Sequence, residues 1–171
     1  MREQEKTARA QGTQGNEDEG AISPKQEQGL RETLHEVNEI ARRLLEAAVE
    51  VHRYLGPGYV ESVYEQALAI EMTLRGMHFE RQATFGVDYK GHRVGEGRID
   101  LVVECRLIVE LKAAVCITDV HVAQVLSYLK ATGLSLALLI NFNVTVLMRG
   151  VKRIVLSRPS ISDMTNASQG P

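Results

Sequence analysis

Seven apolar residues, Leu34, Val37, Ala41, Leu44, Ala48, Val51 and Leu55, recur at alternating steps of three and four. That period draws a single buried stripe down a helix of six or seven turns. Gly56-Pro57-Gly58 ends it, because Pro57 has no N–H to donate and biases Gly56 away from helix. A second helix is expected over 59–75, with Val60, Val63, Ala67, Leu68 and Leu74 toward the core and Gly76 just beyond its C-terminus.

The period then changes. Phe79, Ala83, Phe85, Val87 and Tyr89 alternate with more polar residues, the pattern of a half-buried strand, and Lys90-Gly91 is a turn signal. Ile99–Val103 and Leu107–Leu111 read as a strand pair joined through Glu104-Cys105-Arg106. Thr118 suits the N-cap of a helix over 119–131 that Gly133 closes. The all-apolar run Leu136–Ile140 fits a strand covered on both faces. Val144–Met148 and Arg153–Leu156 read as further short strands. The result is a mixed α/β single domain.

The chain has 171 residues, enough for one domain or two at most, and 44% hydrophobic residues, enough for a real core. No run of 18 apolar residues occurs, so no membrane partner is expected, and the N-terminus lacks the apolar core of a secretory signal. Cys105 and Cys116 match no metal spacing and read as reduced thiols of a cytoplasmic protein. Residues 1–29, rich in Gln, Glu and Gly, read as a disordered tail, and 159–171 as a loose one, leaving a domain over 30–158. The whole chain carries −2, which argues against an overall basic nucleic-acid binder. Residues 1–29 hold six acids and four bases, so the remainder is neutral. Within it Arg149, Lys152, Arg153 and Arg158 form a basic cluster fit to contact phosphates.

Alternation on 107–112 puts Ile108, Glu110 and Lys112 on one face. Asp100 lies on the preceding strand. Two carboxylates on neighbouring strands can hold a hard cation such as Mg²⁺, and a lysine beside them can orient water or offset charge on a phosphate. Taken alone a Glu-x-Lys pair is ordinarily a solvated ion pair, but here it interrupts an apolar strand, where an unpaired charge is costly. His121, Gln124 and Tyr128 form a polar stripe on the following helix; it either bonds a phosphate or metal-bound water, or simply leaves Tyr128 half-buried. Glu61 and Tyr64 share a face of the second helix. Glu61 is either a helix-dipole carboxylate or a further metal ligand. His52 is either a core histidine or a residue lining the site.

Together Gly58-x-x-Glu61-x-x-Tyr64, GRIDLVV, LIVELKA, HVAQVLSYLKATG, LLINFNV and GVKRIV resemble the GxxExxY protein family of the PD-(D/E)XK nuclease superfamily, over about residues 36–156. The resemblance implies a restriction-endonuclease-like fold with about four mixed strands flanked by helices. It implies Mg²⁺- or Mn²⁺-dependent hydrolysis of DNA, or of RNA, with homodimers common among small members. By resemblance Asp100, Glu110 and Lys112 are catalytic, and Glu61, Asp100 and Glu110 are the metal ligands. Gln124 and Tyr128 match a Q-x-x-x-Y motif, and Ile99 stands where the superfamily often has proline. The alternative reading is a catalytically inactive module on the same fold that binds nucleic acid or a protein.

Overall fold

The long apolar stripe lies on one helix, α1 (Pro24–Leu55), in a computed structural model that describes residues 23–156. The remaining elements are α2 (Glu61–Leu74), β1 (Phe79–Tyr89), β2 (His92–Val103), β3 (Leu107–Lys112), α3 (Asp119–Thr132), β4 (Leu136–Asn141), a 3₁₀ turn at Leu147–Gly150 and β5 (Val151–Val155). The strands form one sheet in chain order. β3 and β4 are parallel, with α3 as their crossover, and every other neighbouring pair is antiparallel.

Two cores follow from this layering. Val37, Ala41, Leu44 and Val51 of α1 and Leu68 and Met72 of α2 meet Leu107, Val109 and Leu111 on one sheet face. Val125 and Leu129 of α3 meet Ile108, Ala137 and Leu139 on the other. β4 is buried along its whole length, as its apolar run requires. Thr118 caps α3 in a capping box with His121, and Gly133 closes it at φ 73°. No helix among the described residues is long and apolar enough to cross a membrane.

Five expectations are corrected. α1 begins at Pro24, upstream of residue 30, with Pro in the first-turn position it tolerates. Leu34 is exposed, and among the described residues burial starts at Val37. α2 buries Tyr64, Leu68, Ala69 and Met72 and exposes Val60, Val63 and Leu74, so its core face is rotated from the expected one. Residues 144–148 form no strand, because the chain tightens into the 3₁₀ turn before β5. β2 reaches back to His92 and builds a long hairpin with β1 across Lys90 and Gly91, both at positive φ as a tight hairpin turn demands. Residues 1–22 and 157–171, including Arg158 and the proposed C-terminal tail, lie outside the described residues.

Gln82 also interrupts β1. It adopts φ 52°, a left-handed conformation uncommon for any residue but glycine, in the middle of a strand. The ladder skips it: Arg81 pairs with Leu101 and Ala83 with Ile99.

Candidate active site

Glu110 is 3% exposed in a strand whose neighbours are apolar. Its Oε1 accepts a 2.6 Å hydrogen bond from Lys112 Nζ, and its Oε2 is buried with no hydrogen-bond partner. Such an orphaned carboxylate oxygen is rare, because a buried polar atom costs about 1–3 kcal/mol when left unpaired. Burial pushes Glu110 up to about 7, with Asp100 adding to the shift and Lys112 opposing it. For Lys112 burial disfavours the ammonium, but the bond to Glu110 and the charges of Glu110, Glu61 and Asp100 outweigh it, and its pKa is raised.

Asp100 reaches this pair because β2 and β3 part. Their pairing runs Val103–Leu107, Val102–Ile108, Leu101–Val109 and stops there. Continued, it would set Asp100 opposite Glu110. Instead the Asp100 carboxylate enters the gap and its Oδ2 accepts the Leu111 N–H at 2.9 Å. Burial raises the Asp100 pKa, opposed by the Leu111 bond and Lys112, and helped by Glu65 and Glu61.

Helix α2 brings two more carboxylates. Glu61 is exposed in its first turn, and its Oε1 accepts the N–H of Ala113, the residue after Lys112, at 3.3 Å. Tyr64 holds that end of α2 in place. It is fully buried and stacks on Phe142 with ring centroids 4.4 Å apart. Its hydroxyl donates to Gly56 O at 2.7 Å and accepts from Tyr59 N at 3.2 Å. Tyr64 is therefore a support for the Gly56–Gly58 bend, closed off from any substrate. Glu65, one turn after Glu61, was not foreseen. It binds Arg81 Nε at 2.8 Å and Gln82 Nε2 at 2.6 Å, and Gln82 Nε2 stands 3.4 Å from Asp100 Oδ1. Only the i, i+4 spacing of two acids on α2 hinted at it.

The remaining expected residues divide. Tyr128 is buried on α3, hydrogen-bonded to Gln124 and packed edge-on to Phe85 at 5.2 Å. Burial raises its pKa, and the Glu110 charge raises it further, so the phenol sits within the field of the site. His52 takes the core reading: it is 8% exposed and its Nε2 donates to Val144 O at 2.8 Å. The basic cluster is split by strand alternation. Arg149 and Lys152 line a groove of about 330 Å³ with Cys116 and Ile117. Arg153 points to the other sheet face and donates to Asn38 Oδ1 of α1 at 2.6 Å. Asn141, also unforeseen, is buried at the end of β4. Its amide donates to Ala114 O at 2.8 Å and accepts from Ala114 N and Asn143 N, fixing the loop that follows Lys112.

The three carboxylates expected to share one cation are not gathered as a ligand set. Among the described residues no group of three or more His, Cys, Asp or Glu is disposed to hold a metal ion. Glu61 is turned to the Ala113 N–H, and Lys112 covers one oxygen of Glu110. Like charges do not converge without a cation between them. The donors still fit a hard divalent ion. They are all carboxylate oxygens, and Glu110 Oε2 is a buried acceptor without a donor.

The profile of the PD-(D/E)XK nuclease superfamily matches residues 38–154. No curated protein and no solved structure matches the chain. The matched span runs from the first buried turn of α1 to β5 and takes in Glu61, Asp100, Glu110 and Lys112. With a mixed α/β sheet opened beside an acid, a Glu-x-Lys strand following it, and a profile covering most of its length, this chain belongs to the PD-(D/E)XK nuclease superfamily.

Proposed function

We propose that the protein is a divalent-cation-dependent nuclease hydrolysing phosphodiester bonds of DNA, with Asp100, Glu110 and Lys112 as its catalytic residues. The observation that carries this reading is Glu110: a buried carboxylate with one oxygen on Lys112 and the other on nothing. Asp100 and Glu110 would hold Mg²⁺ or Mn²⁺, with Glu61 the third candidate ligand. The cation would supply Lewis-acid activation of the phosphate and a more acidic bound water.

The chain's own residues do the rest. The Leu111 N–H fixes the Asp100 carboxylate, so one oxygen is oriented before any ligand arrives. Lys112 Nζ keeps its proton, since its pKa is raised, and so brings a positive charge to offset that building on the scissile phosphate. Gln124 and Tyr128 form the polar wall beside it. Glu110, Leu139 and Lys152 are successive cross-strand partners on one row of the sheet. Two strand spacings separate Glu110 from Lys152, about 10 Å. Because α3 covers Leu139 on that row, a strand whose scissile phosphate meets Glu110 would have to pass around this helix to set a flanking phosphate in the groove of Arg149 and Lys152. Gly58, Glu61 and Tyr64 support the narrower GxxExxY likeness within the superfamily.

The test is incubation of the full chain with linear, nicked and single-stranded DNA and with RNA, in Mg²⁺ or Mn²⁺. Cleavage of DNA that falls about 10²–10³-fold in Asp100→Ala and Lys112→Ala supports the reading. Cleavage that survives both substitutions overturns it. DNA binding without cation-dependent cleavage in the parent favours the inactive module.

A further inference from the structure

Gln82 and Asp100 face one another across β1 and β2, and both strands change face at that point. On β2, Leu101 and Val103 belong to the core beneath α1 and α2, while Ile99 belongs to the core beneath α3. Ile99 and Leu101 are two apart, so regular alternation would keep them on one face. On β1, Phe79 packs beneath α1 and α2 and Phe85 beneath α3, although they too are an even number apart. The left-handed residue between them is Gln82. No residue is inserted at this point on either strand, because the register is the same on both sides of Gln82, and shifts only farther along, between Val87 and Asp88. This is a matched pair of kinks, unlike a bulge, where one strand carries an extra residue.

The kink sets where Asp100 points. A residue at the changeover between faces belongs to neither, and its side chain lies near the plane of the sheet. There the Asp100 carboxylate meets a main-chain donor, Leu111 N–H, at 2.9 Å. The Gln82 amide is poorly placed to do the same work. Its Nε2 is 2.6 Å from Glu65 but 3.4 Å from Asp100, so its strong bond is to the helix carboxylate.

We propose that Gln82 is a positioning residue whose left-handed backbone, rather than its amide, keeps β1 in step with the β2 kink and holds Asp100 turned onto the Leu111 N–H. The inference builds on the reading of Asp100 as a cation ligand. It concerns how the ligand is aimed.

The test is a graded series in the full chain: Gln82→Gly, which accepts the left-handed conformation freely, Gln82→Ala, which accepts it less well, and Gln82→Val, whose branched side chain resists it. Two readouts apply: the ¹H–¹⁵N NMR position of the Leu111 amide without metal, and the affinity for Mn²⁺ by calorimetry. Gln82→Gly keeps the hydrogen-bonded Leu111 signal and the parent affinity. Gln82→Val shifts that signal and weakens Mn²⁺ by about 10–100-fold, as loss of a ligand's outer support does. Gln82→Ala falls between them, and the Ala–Gly comparison decides if the Val variant fails to fold. An unmoved Leu111 amide in the Ala and Val variants overturns the proposal, as does a Gly variant as damaged as Val, which would make the amide the agent. A parent protein without Mn²⁺ affinity overturns the cation reading instead, and the Leu111 amide alone then decides the role of Gln82.

Discussion

Lys112 Nζ lies 2.6 Å from Glu110 Oε1, two residues away on the same face of β3, while Glu110 Oε2 meets no donor. A solvated surface pair contributes little. This one is enclosed, and desolvation of the carboxylate outweighs the neighbouring ammonium, leaving Glu110 raised to about 7.

Stability in the absence of divalent cations should therefore depend on pH through Glu110. Its folded value of about 7 lies above its ordinary 4.5, so the folded chain binds this proton more tightly than the unfolded one. The stabilisation is complete below about pH 4.5 and is lost as pH rises through 7. The loss amounts to up to about 3 kcal/mol. Urea unfolding in EDTA from pH 5 to 8 measures it. The slope should largely vanish in Glu110→Gln; an unchanged slope there would assign it to other groups.

Tyr64→Phe should destabilise the fold by about 0.5–1.5 kcal/mol, since the part-buried hydrogen bond from its hydroxyl to Gly56 O is lost. Packing on Phe142 is retained. The bend that launches α2 and Glu61 loosens, so turnover should fall as well, without a change in which bonds are cut. Thermal unfolding and steady-state kinetics on the same preparation separate the two effects.

Lys152→Glu and Arg153→Glu make a matched pair. Lys152 faces the groove on the Glu110 row, whereas Arg153 crosses to Asn38 on α1. Reversal at Lys152 should weaken DNA binding and lower the salt slope by about one unit. Reversal at Arg153 should leave the slope unchanged. Equal effects would contradict the split of the basic cluster.

Gly150→Ala tests the junction between the 3₁₀ turn and β5. A Cβ there would lie 2.3 Å from the main-chain oxygen of Asn141, which has no freedom to retreat. Overpacking of this kind costs about 1–3 kcal/mol. The loss should appear in urea unfolding, with a weakened Arg149–Lys152 groove as its companion in DNA-binding assays.

Much of this was legible in the sequence where a local rule acts alone. Thr118 and Gly133 bound α3 by capping chemistry, and the faces of β3 follow from simple alternation, so Glu110 and Lys112 were placed together correctly. The parts that were not legible depend on neighbours. Alternation counted straight through β1 puts Phe79 and Phe85 on one face, but the Gln82 kink separates them, and nothing in a single glutamine announces a left-handed backbone. Tyr64 shares a helix face with Glu61 in the G-x-x-E-x-x-Y pattern, which points toward the site, but its hydroxyl is engaged by the Gly56 carbonyl, a partner that no spacing rule names. On α2 several apolar residues compete for burial, and packing against α1 and Phe142 decides for Tyr64, Leu68 and Met72. Asn141 and Glu65 act through partners distant in sequence, Ala114 and Gln82, and no short motif contains either pair.

The central claim is that Asp100 and Glu110 jointly hold a divalent cation. Calorimetric titration of Mn²⁺ into the full chain at pH 7.5 or above, where Glu110 is largely ionised, tests it most directly. The expected result is a saturable heat that Glu110→Gln and Asp100→Asn each abolish, while Arg153→Ala leaves it intact. A heat that persists in both acid variants, or no heat in the parent protein, would contradict the account.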